Sequence, residues 1–416
     1  MIDDDRADTL GIYISIPFCR SKCTYCNFAS GVYPAAEHER YVRRVIEDIV
    51  NAGDCASQLQ VELPRRVDSV YLGGGTPSLL APDLLAGFFK TIRNEFDLDA
   101  DAEITVECAP GQLAQGMPEA LVASGVNRVS LGVQSFVDRE AHATGRLHDR
   151  ATVELDLRRL RAAGIGNLNV DLIAGLPNQT FASWEQSLDA LLHADLPHAS
   201  IYMLEVDEDS RLGREMLNGG SRYRAGLVPN DDAIARMYER AIERLDAAGL
   251  KQYEISNFSR WGFESRHNLR YWRRLPYIGF GLDASSMLMT IDQREPSRRN
   301  AEPRSVLRAT TTDDLPGYLH GDRQAEITVH AAQEQHEEAW FLGLRTNAGV
   351  DVAALAREFG REMIQQAIEI AARLAEDGLL AFDGDRVRLT SRGRMLSNDV
   401  FQEFLGLPSH AAVAMS

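Results

Sequence analysis

The 416-residue chain contains no apolar run of about 18 residues, the length needed to cross a bilayer, so no transmembrane helix is expected. Its first ten residues, MIDDDRADTL, lack the basic-then-apolar order of a secretory signal, and the expected location is the cytoplasm. Positive charge is scarce. There are 44 Lys and Arg against 61 Asp and Glu, a net of −17, and such a surface repels nucleic acid and anionic lipid alike. Cysteine is scarcer: five are present, odd in number and too few for a disulfide framework. Three stand together at Cys19, Cys23 and Cys26, a clustering that points to metal or redox chemistry, while Cys55 and Cys108 lie apart. Internal repeats and low-complexity tracts are absent, and 44% hydrophobic with 25% charged residues excludes disorder as the main state.

What is present is alternation. Apolar, β-rich runs at 12–16, 67–72, 103–107, 128–133, 168–173 and 199–206 are separated by helix-like stretches at 35–51, 82–95, 118–123, 150–163 and 180–193. This predicts a parallel α/β sheet, and six units are too few to close an eight-strand barrel. The expected fold over 1–240 is an open partial (β/α)6 barrel, with a doubly wound sheet as the competing arrangement. A helix at 231–248, an aromatic-rich segment to Trp272 and a polar connector with three prolines and an edge strand extend the barrel over 241–330. From there the pattern changes to helices at 333–344, 351–358 and 362–376, an Asp383–Gly384 hairpin and a last helix at 392–404. This small α+β C-terminal domain, 331–416, is similar to a winged helix. Residues 331–405 carry 8 basic against 13 acidic side chains, so DNA binding is not expected.

Cys19, Cys23 and Cys26 directly follow the first strand, in IPFCRSKCTYCNF. Thiolates at this spacing converge on one metal centre, with Lys22 and local amides available to lower their pKa values. On a 4Fe-4S cluster, three ligands leave one iron open to a small molecule. The lesser alternative is a zinc site with a fourth ligand, such as His38, from elsewhere. Polar groups recur at the other strand ends: Gly73, Gly74, Gly75 and Thr76 after strand two, Glu107 at the end of three, Gln134 at the end of four and Asp171 within five. The C-terminal strand ends of an α/β barrel share one face, so these groups should line a pocket with the cysteines. Read singly, each also has an ordinary structural role open to it.

In order, YISIPFC, GGGTPS, ECAP, SLGVQSF, GRLH and DLIAGLPNQT resemble the radical S-adenosylmethionine (SAM) family. Within it they are similar to the branch of oxygen-independent coproporphyrinogen III oxidases and heme chaperones. The resemblance implies a 4Fe-4S cluster on Cys19, Cys23 and Cys26. It implies SAM held by Tyr13, Tyr25, Gly74, Gly75, Thr76, Glu107, Gln134, Arg146, Asp171 and the backbone of Met203. Carboxylates suit the ribose hydroxyls or amino group, and an arginine suits the SAM carboxylate. Oxidases of the branch carry a fourth cysteine two residues after the third, where this chain has Phe28.

That departure, the short stretch before the first strand and the HNxxYW segment His267–Trp272 resemble the heme chaperone subfamily. They imply heme as a third cofactor, with His267, Tyr271 and Trp272 as its residues. An imidazole ligates heme iron and aromatics pack on a porphyrin face. If helical, the segment puts His267 and Tyr271 on one face. Its composition alone equally suits a hydrogen-bonded His267 with the two aromatics filling a core. The implied function is delivery of heme to apo-cytochromes. Heme and a heme-accepting protein are the implied partners, and nucleic acid is not; SAM cleavage, peripheral membrane association and a homodimer stay open. The alternatives are a coproporphyrinogen III dehydrogenase and an iron–sulfur or zinc protein without turnover. His148 reads as a support beside Arg146, the other histidines as ordinary, and Cys55 and Cys108 as packing residues.

Overall fold

The computed structural model describes residues 8–291, 303–321 and 326–407. Its strands are β1 (Leu10–Ile16), β2 (Arg66–Gly74), β3 (Asp97–Cys108), β4 (Arg128–Gln134), β5 (Asn167–Ala174), β6 (His198–Met203), β7 (Lys251–Gln252), β8 (Asn257–Ser259), β9 (Tyr277–Phe280), β10 (Ser285–Met289), β11 (Val306–Thr310), β12 (Glu326–His330), β13 (Val350–Asp351), β14 (Leu380–Asp383) and β15 (Arg386–Leu389). Among the described residues, β1 to β6 run parallel and side by side, as the alternation predicts. Helices Ala35–Val50, Pro82–Glu95, Met117–Ala123, Arg150–Ala162 and Phe181–His193 lie between them, each within two residues of its expected bounds. The sheet does not close: β8 and β7 continue it antiparallel beyond β6, while β9 pairs parallel with β1 and leads out through β10, β11 and β12.

The division expected at 240 falls inside the helix Asp231–Ala247, and the stretch 241–330 joins the main sheet at both of its edges. The connector holds two strands and a short helix, Leu315–Leu319, where a single edge strand was expected; residues 292–302 and 322–325 lie outside the described residues. The C-terminal unit has the expected helices (Ala332–Arg345, Val352–Phe359, Arg361–Glu376) and the hairpin, its turn made by Gly384 at φ 60°. Strand β13 completes a three-stranded sheet. Its core centres on Trp340, stacked on Phe404 with ring centroids 4.9 Å apart. The last helix breaks at Leu396 into Ser391–Met395 and Ser397–Gln402.

Strand alternation explains the layering. Ile12, Ile14, Val70, Leu72, Val106, Val129, Leu131, Val170 and Leu172 are wholly buried in the apolar core that the helices cover. The intervening side chains face the barrel interior, which is polar. There the Asn169 amide donates to Ser130 and Ser200 (2.8 and 3.0 Å), and Ser130 donates to Asp171 (3.1 Å). Such groups are tolerated because each has a partner.

At the N-terminal strand ends a short helix, Arg266–Trp272, plugs the barrel. Ser265 caps it, accepting from the Asn268 amide. The free amides of Arg266 and His267 donate to the two oxygens of Glu103 in β3, each at 3.0 Å, a match of helix N-terminus to carboxylate. One turn on, buried Arg270 pairs with Asp68 of β2 and donates to the Thr9 carbonyl (3.0 Å).

Candidate cofactor site

At the opposite, C-terminal strand ends lies a cavity of about 990 Å³. It is lined by Cys19, Cys23 and Cys26 together with Tyr25, Gly74, Gly75, Thr76, Glu107, Gln134, Arg146, Asp171 and Met203. The cysteine loop is pinned at its base: the Cys19 amide donates to the Gly31 carbonyl (2.8 Å), and Gly31 to that of Pro17 (2.8 Å). On its other flank Thr24 donates to the Thr144 carbonyl (3.0 Å) and accepts from the Leu212 amide (2.8 Å).

The glycines of the second strand end answer to close approach. A Cβ on Gly75 would lie 2.7 Å from the Phe18 carbonyl oxygen and 3.0 Å from the Cys19 sulfur, so a side chain there would displace the first thiol. Gly74 sits at φ 99°, in the left-handed region. Gln134 also has positive φ, 70°, at a register shift between β4 and β5, and this bulge turns its side chain into the cavity wall.

The two carboxylates line the cavity and are half-buried. Glu107 accepts from the Tyr71 hydroxyl at 2.7 Å. Burial pushes its carboxyl up to about 7, against the pull of that hydroxyl and the Gly74 amide. Asp171, raised by burial in the same way, is held by Asn169 (2.7 Å) and Ser130 (3.1 Å). The Tyr25 hydroxyl is buried with no hydrogen-bond partner among the described residues, a group left for a ligand to satisfy.

Several expectations change. Lys22 donates to the Phe28 carbonyl (3.0 Å) instead of facing the thiols, and burial pushes the Cys19 thiol up, not down. Tyr13 does not reach the cavity: it lies a layer lower, stacked on Tyr71 with centroids 6.1 Å apart. His267 and Tyr271 are at the other end of the barrel, in the plug, while Trp272, its last residue, has Arg345 of the cavity lining over its ring, 4.4 Å from the centroid. His267 is 1% exposed, with Nδ1 bonded to Ser69 (3.1 Å) and Nε2 to Tyr271 (2.8 Å). Burial, with Arg270 and Arg128 nearby, pushes its pKa down to about 3 and keeps the imidazole neutral. The pull of the plug amides on Glu103 is what draws this motif inside. Cys108, read as a packing residue, is buried in the core with its thiol raised to about 12 by burial, and it also borders the cavity beside Glu107. His148 Nε2 donates to the Val133 carbonyl (3.1 Å).

The sequence reading missed part of the lining. Tyr202, Leu147, Arg345 and Leu396 line the cavity, the last two from the C-terminal unit. Only the strand alternation of β6 signalled Tyr202; no local pattern marks Leu396, whose role comes from a break between two short helices.

A three-cysteine loop on the first strand of a partial barrel, with a glycine cradle on the second, defines a radical SAM protein. Residues 13–191 match the Radical SAM superfamily and 331–396 the HemN C-terminal domain. The heme chaperone HemW of Lactococcus lactis is 33% identical over 94% of this chain and 96% of its own. That of Bacillus subtilis is also 33% identical, over 95% of this chain and 98% of its own. The solved structure of coproporphyrinogen III oxidase (HemN) from Escherichia coli superposes with a TM-score of 0.78 at 21% identity, covering 96% of this chain and 91% of that one. The chain belongs to the HemW family of radical SAM proteins.

Membership implies a 4Fe-4S cluster and SAM, and the residues fit both. Cys19, Cys23 and Cys26, on one loop, line one cavity. The glycine cradle, the unpartnered Tyr25 hydroxyl and the half-buried carboxylates suit an amino acid and a ribose beside the cluster. No helix among the described residues is long and apolar enough to cross a membrane.

Proposed function

We propose that this protein is a cytoplasmic heme chaperone: it holds a cluster and SAM at the barrel mouth, takes up heme there and passes it to apo-cytochromes. The observation that carries the reading is the rim of the cavity. Phe28, Leu147, Tyr202 and Leu396 are 60%, 61%, 40% and 39% exposed, and all four line the same opening. Converging exposed apolar side chains mark a binding surface, and a flat macrocycle with an apolar face suits them. Met203 and Met395 add two thioethers, a ligand type found on heme iron, and Arg345 a cation for a propionate.

Within the mouth, Cys19, Cys23 and Cys26 would carry the cluster. Glu107, Asp171, Arg146, Gln134 and Tyr25 would hold SAM by its amino, ribose and carboxylate groups. When bound, the cluster supplies a one-electron donor next to the SAM sulfonium. Phe28, at the position of the oxidases' fourth cysteine, gives the loop an apolar edge toward the rim. Heme on His267 would instead require the imidazole to leave Ser69 and Tyr271 and the plug to open.

The test is a heme titration of anaerobically reconstituted protein, followed by the Soret band, for wild type, Leu396→Asp and His267→Ala. Saturable binding weakened about tenfold by the charge at Leu396 is expected. Binding no better than to an unrelated protein would overturn the chaperone reading, as would conversion of coproporphyrinogen III with SAM and a reductant.

A further inference from the structure

The cavity and the plug sit at opposite ends of the barrel, yet one column of side chains joins them. Glu107 faces the cavity and takes the Tyr71 hydroxyl on Oε1 at 2.7 Å. The Tyr71 ring lies against His267, centroids 5.3 Å apart and planes at 29°. Its other stacking neighbour is Tyr13, at 6.1 Å and 30°. Tyr13 and His267 are themselves 6.4 Å apart, so the three rings form one cluster.

The base of this cluster is fixed. Both ring nitrogens and the amide of His267 are bonded, to Ser69, Tyr271 and Glu103, and Ser69 lies on the same strand and face as Tyr71. The top is equally tight: a Cβ on Gly73 would stand 2.9 Å from the Tyr71 ring and 3.1 Å from the Glu107 carboxyl carbon. The part-exposed Tyr71 ring is thus flanked by His267 and Tyr13 and closed off above by Gly73, contacts that limit where it lies and where its hydroxyl aims.

We infer that His267 and Tyr13 are positioning residues for the SAM site, acting through Tyr71: the three rings hold the Tyr71 hydroxyl on Glu107 and so orient the carboxylate that faces the cavity. The inference rests on the reading that the cavity binds SAM through Glu107. It gives the HNxxYW histidine a role that needs no contact with heme. It also gives Tyr13 a role from a layer below the ligand.

The experiment is a calorimetric SAM titration of protein carrying its reconstituted cluster. The variants are Tyr71→Phe, His267→Ala, His267→Phe and the double variant Tyr71→Phe with His267→Ala. Tyr71→Phe keeps the ring and loses the hydroxyl; it should weaken SAM about tenfold, the scale of one hydrogen bond to a charged group. His267→Ala should weaken SAM by a similar factor and His267→Phe should restore most of it, because a ring again supports Tyr71. The double variant should be no worse than Tyr71→Phe alone, since both changes act on one contact.

Unchanged SAM affinity in Tyr71→Phe overturns the inference even if the His267 variants do not fold. So do effects that simply multiply, or a His267→Ala protein that loses heme while keeping SAM. Wild-type protein that carries its cluster but binds no SAM fails the underlying cofactor reading, a separate outcome.

Discussion

The two ends of the barrel are built from the same materials and used in opposite ways. At the N-terminal end, Asp68, Glu103 and Arg270 are buried charges that satisfy one another and the plug helix. At the C-terminal end, Glu107 and Asp171 face an open cavity and the Tyr25 hydroxyl has no hydrogen-bond partner among the described residues, beside the cysteine loop and a backbone thinned to glycine. Buried polar groups paired among themselves specify a structure; buried polar groups left incomplete specify a ligand. A polar residue in a barrel strand is informative about function only once its partners are known.

Substitutions at each end sharpen this contrast. Alanine at Cys19, Cys23 or Cys26 should abolish cluster assembly, read as loss of bound iron after anaerobic reconstitution, while melting of the metal-free protein stays near wild type. Arg270→Ala strands the Asp68 carboxylate and should cost about 3–5 kcal/mol in denaturant unfolding. A cost below about 1 kcal/mol there would mean that water reaches the plug. Glu107 gives the opposite sign. Its carboxyl, raised to about 7 when folded, keeps its proton more tightly than in the unfolded chain. Its contribution is present below the ordinary carboxylate range and lost as pH rises through about 7. Glu107→Gln should therefore stabilise the ligand-free protein at about pH 8 by up to about 3 kcal/mol, and leave stability near pH 4 unchanged. The same change should weaken SAM, whose wild-type affinity should rise with pH through that window. Smallest is Thr180→Ala, which removes the capping box of helix Phe181–His193 near the mouth. It should cost about 1 kcal/mol with no effect on SAM or heme titrations, because that polar group is already paired.

The same contrast explains what could be read in advance. Strand and helix order followed from apolar periodicity, because each strand buries its isoleucines, valines and leucines against helices. Nine of the ten residues matched to SAM reach the cavity, because they sit at strand ends and in short turns after them, where topology alone fixes the location. Tyr13 is not among the lining residues; it stacks on Tyr71, whose hydroxyl bonds Glu107 of the cavity wall. His267, Tyr271 and Trp272 were ambiguous: a histidine with two aromatics suits heme and suits a plug, and the amides of a helix start meeting Glu103 decide between them. Tyr71 and Leu396 carry no local signature, since one matters through a ring 196 residues away and the other through a helix break.

The plug also sets an order of events during synthesis. Every cysteine and every matched SAM residue is encoded before residue 204, but Glu103 gains the plug amides and Asp68 its arginine only when residues 266–270 have been made, and β1 gains β9 only at 277–280. A nascent chain halted earlier has its cysteine loop and an unsupported barrel around it. Sequence separations this long favour late, whole-chain closure over stepwise folding from the N-terminus. Cluster insertion into a finished site therefore waits until residues 266–280 have been made, and a truncation before residue 265 should yield protein that retains its cysteines yet fails to hold iron.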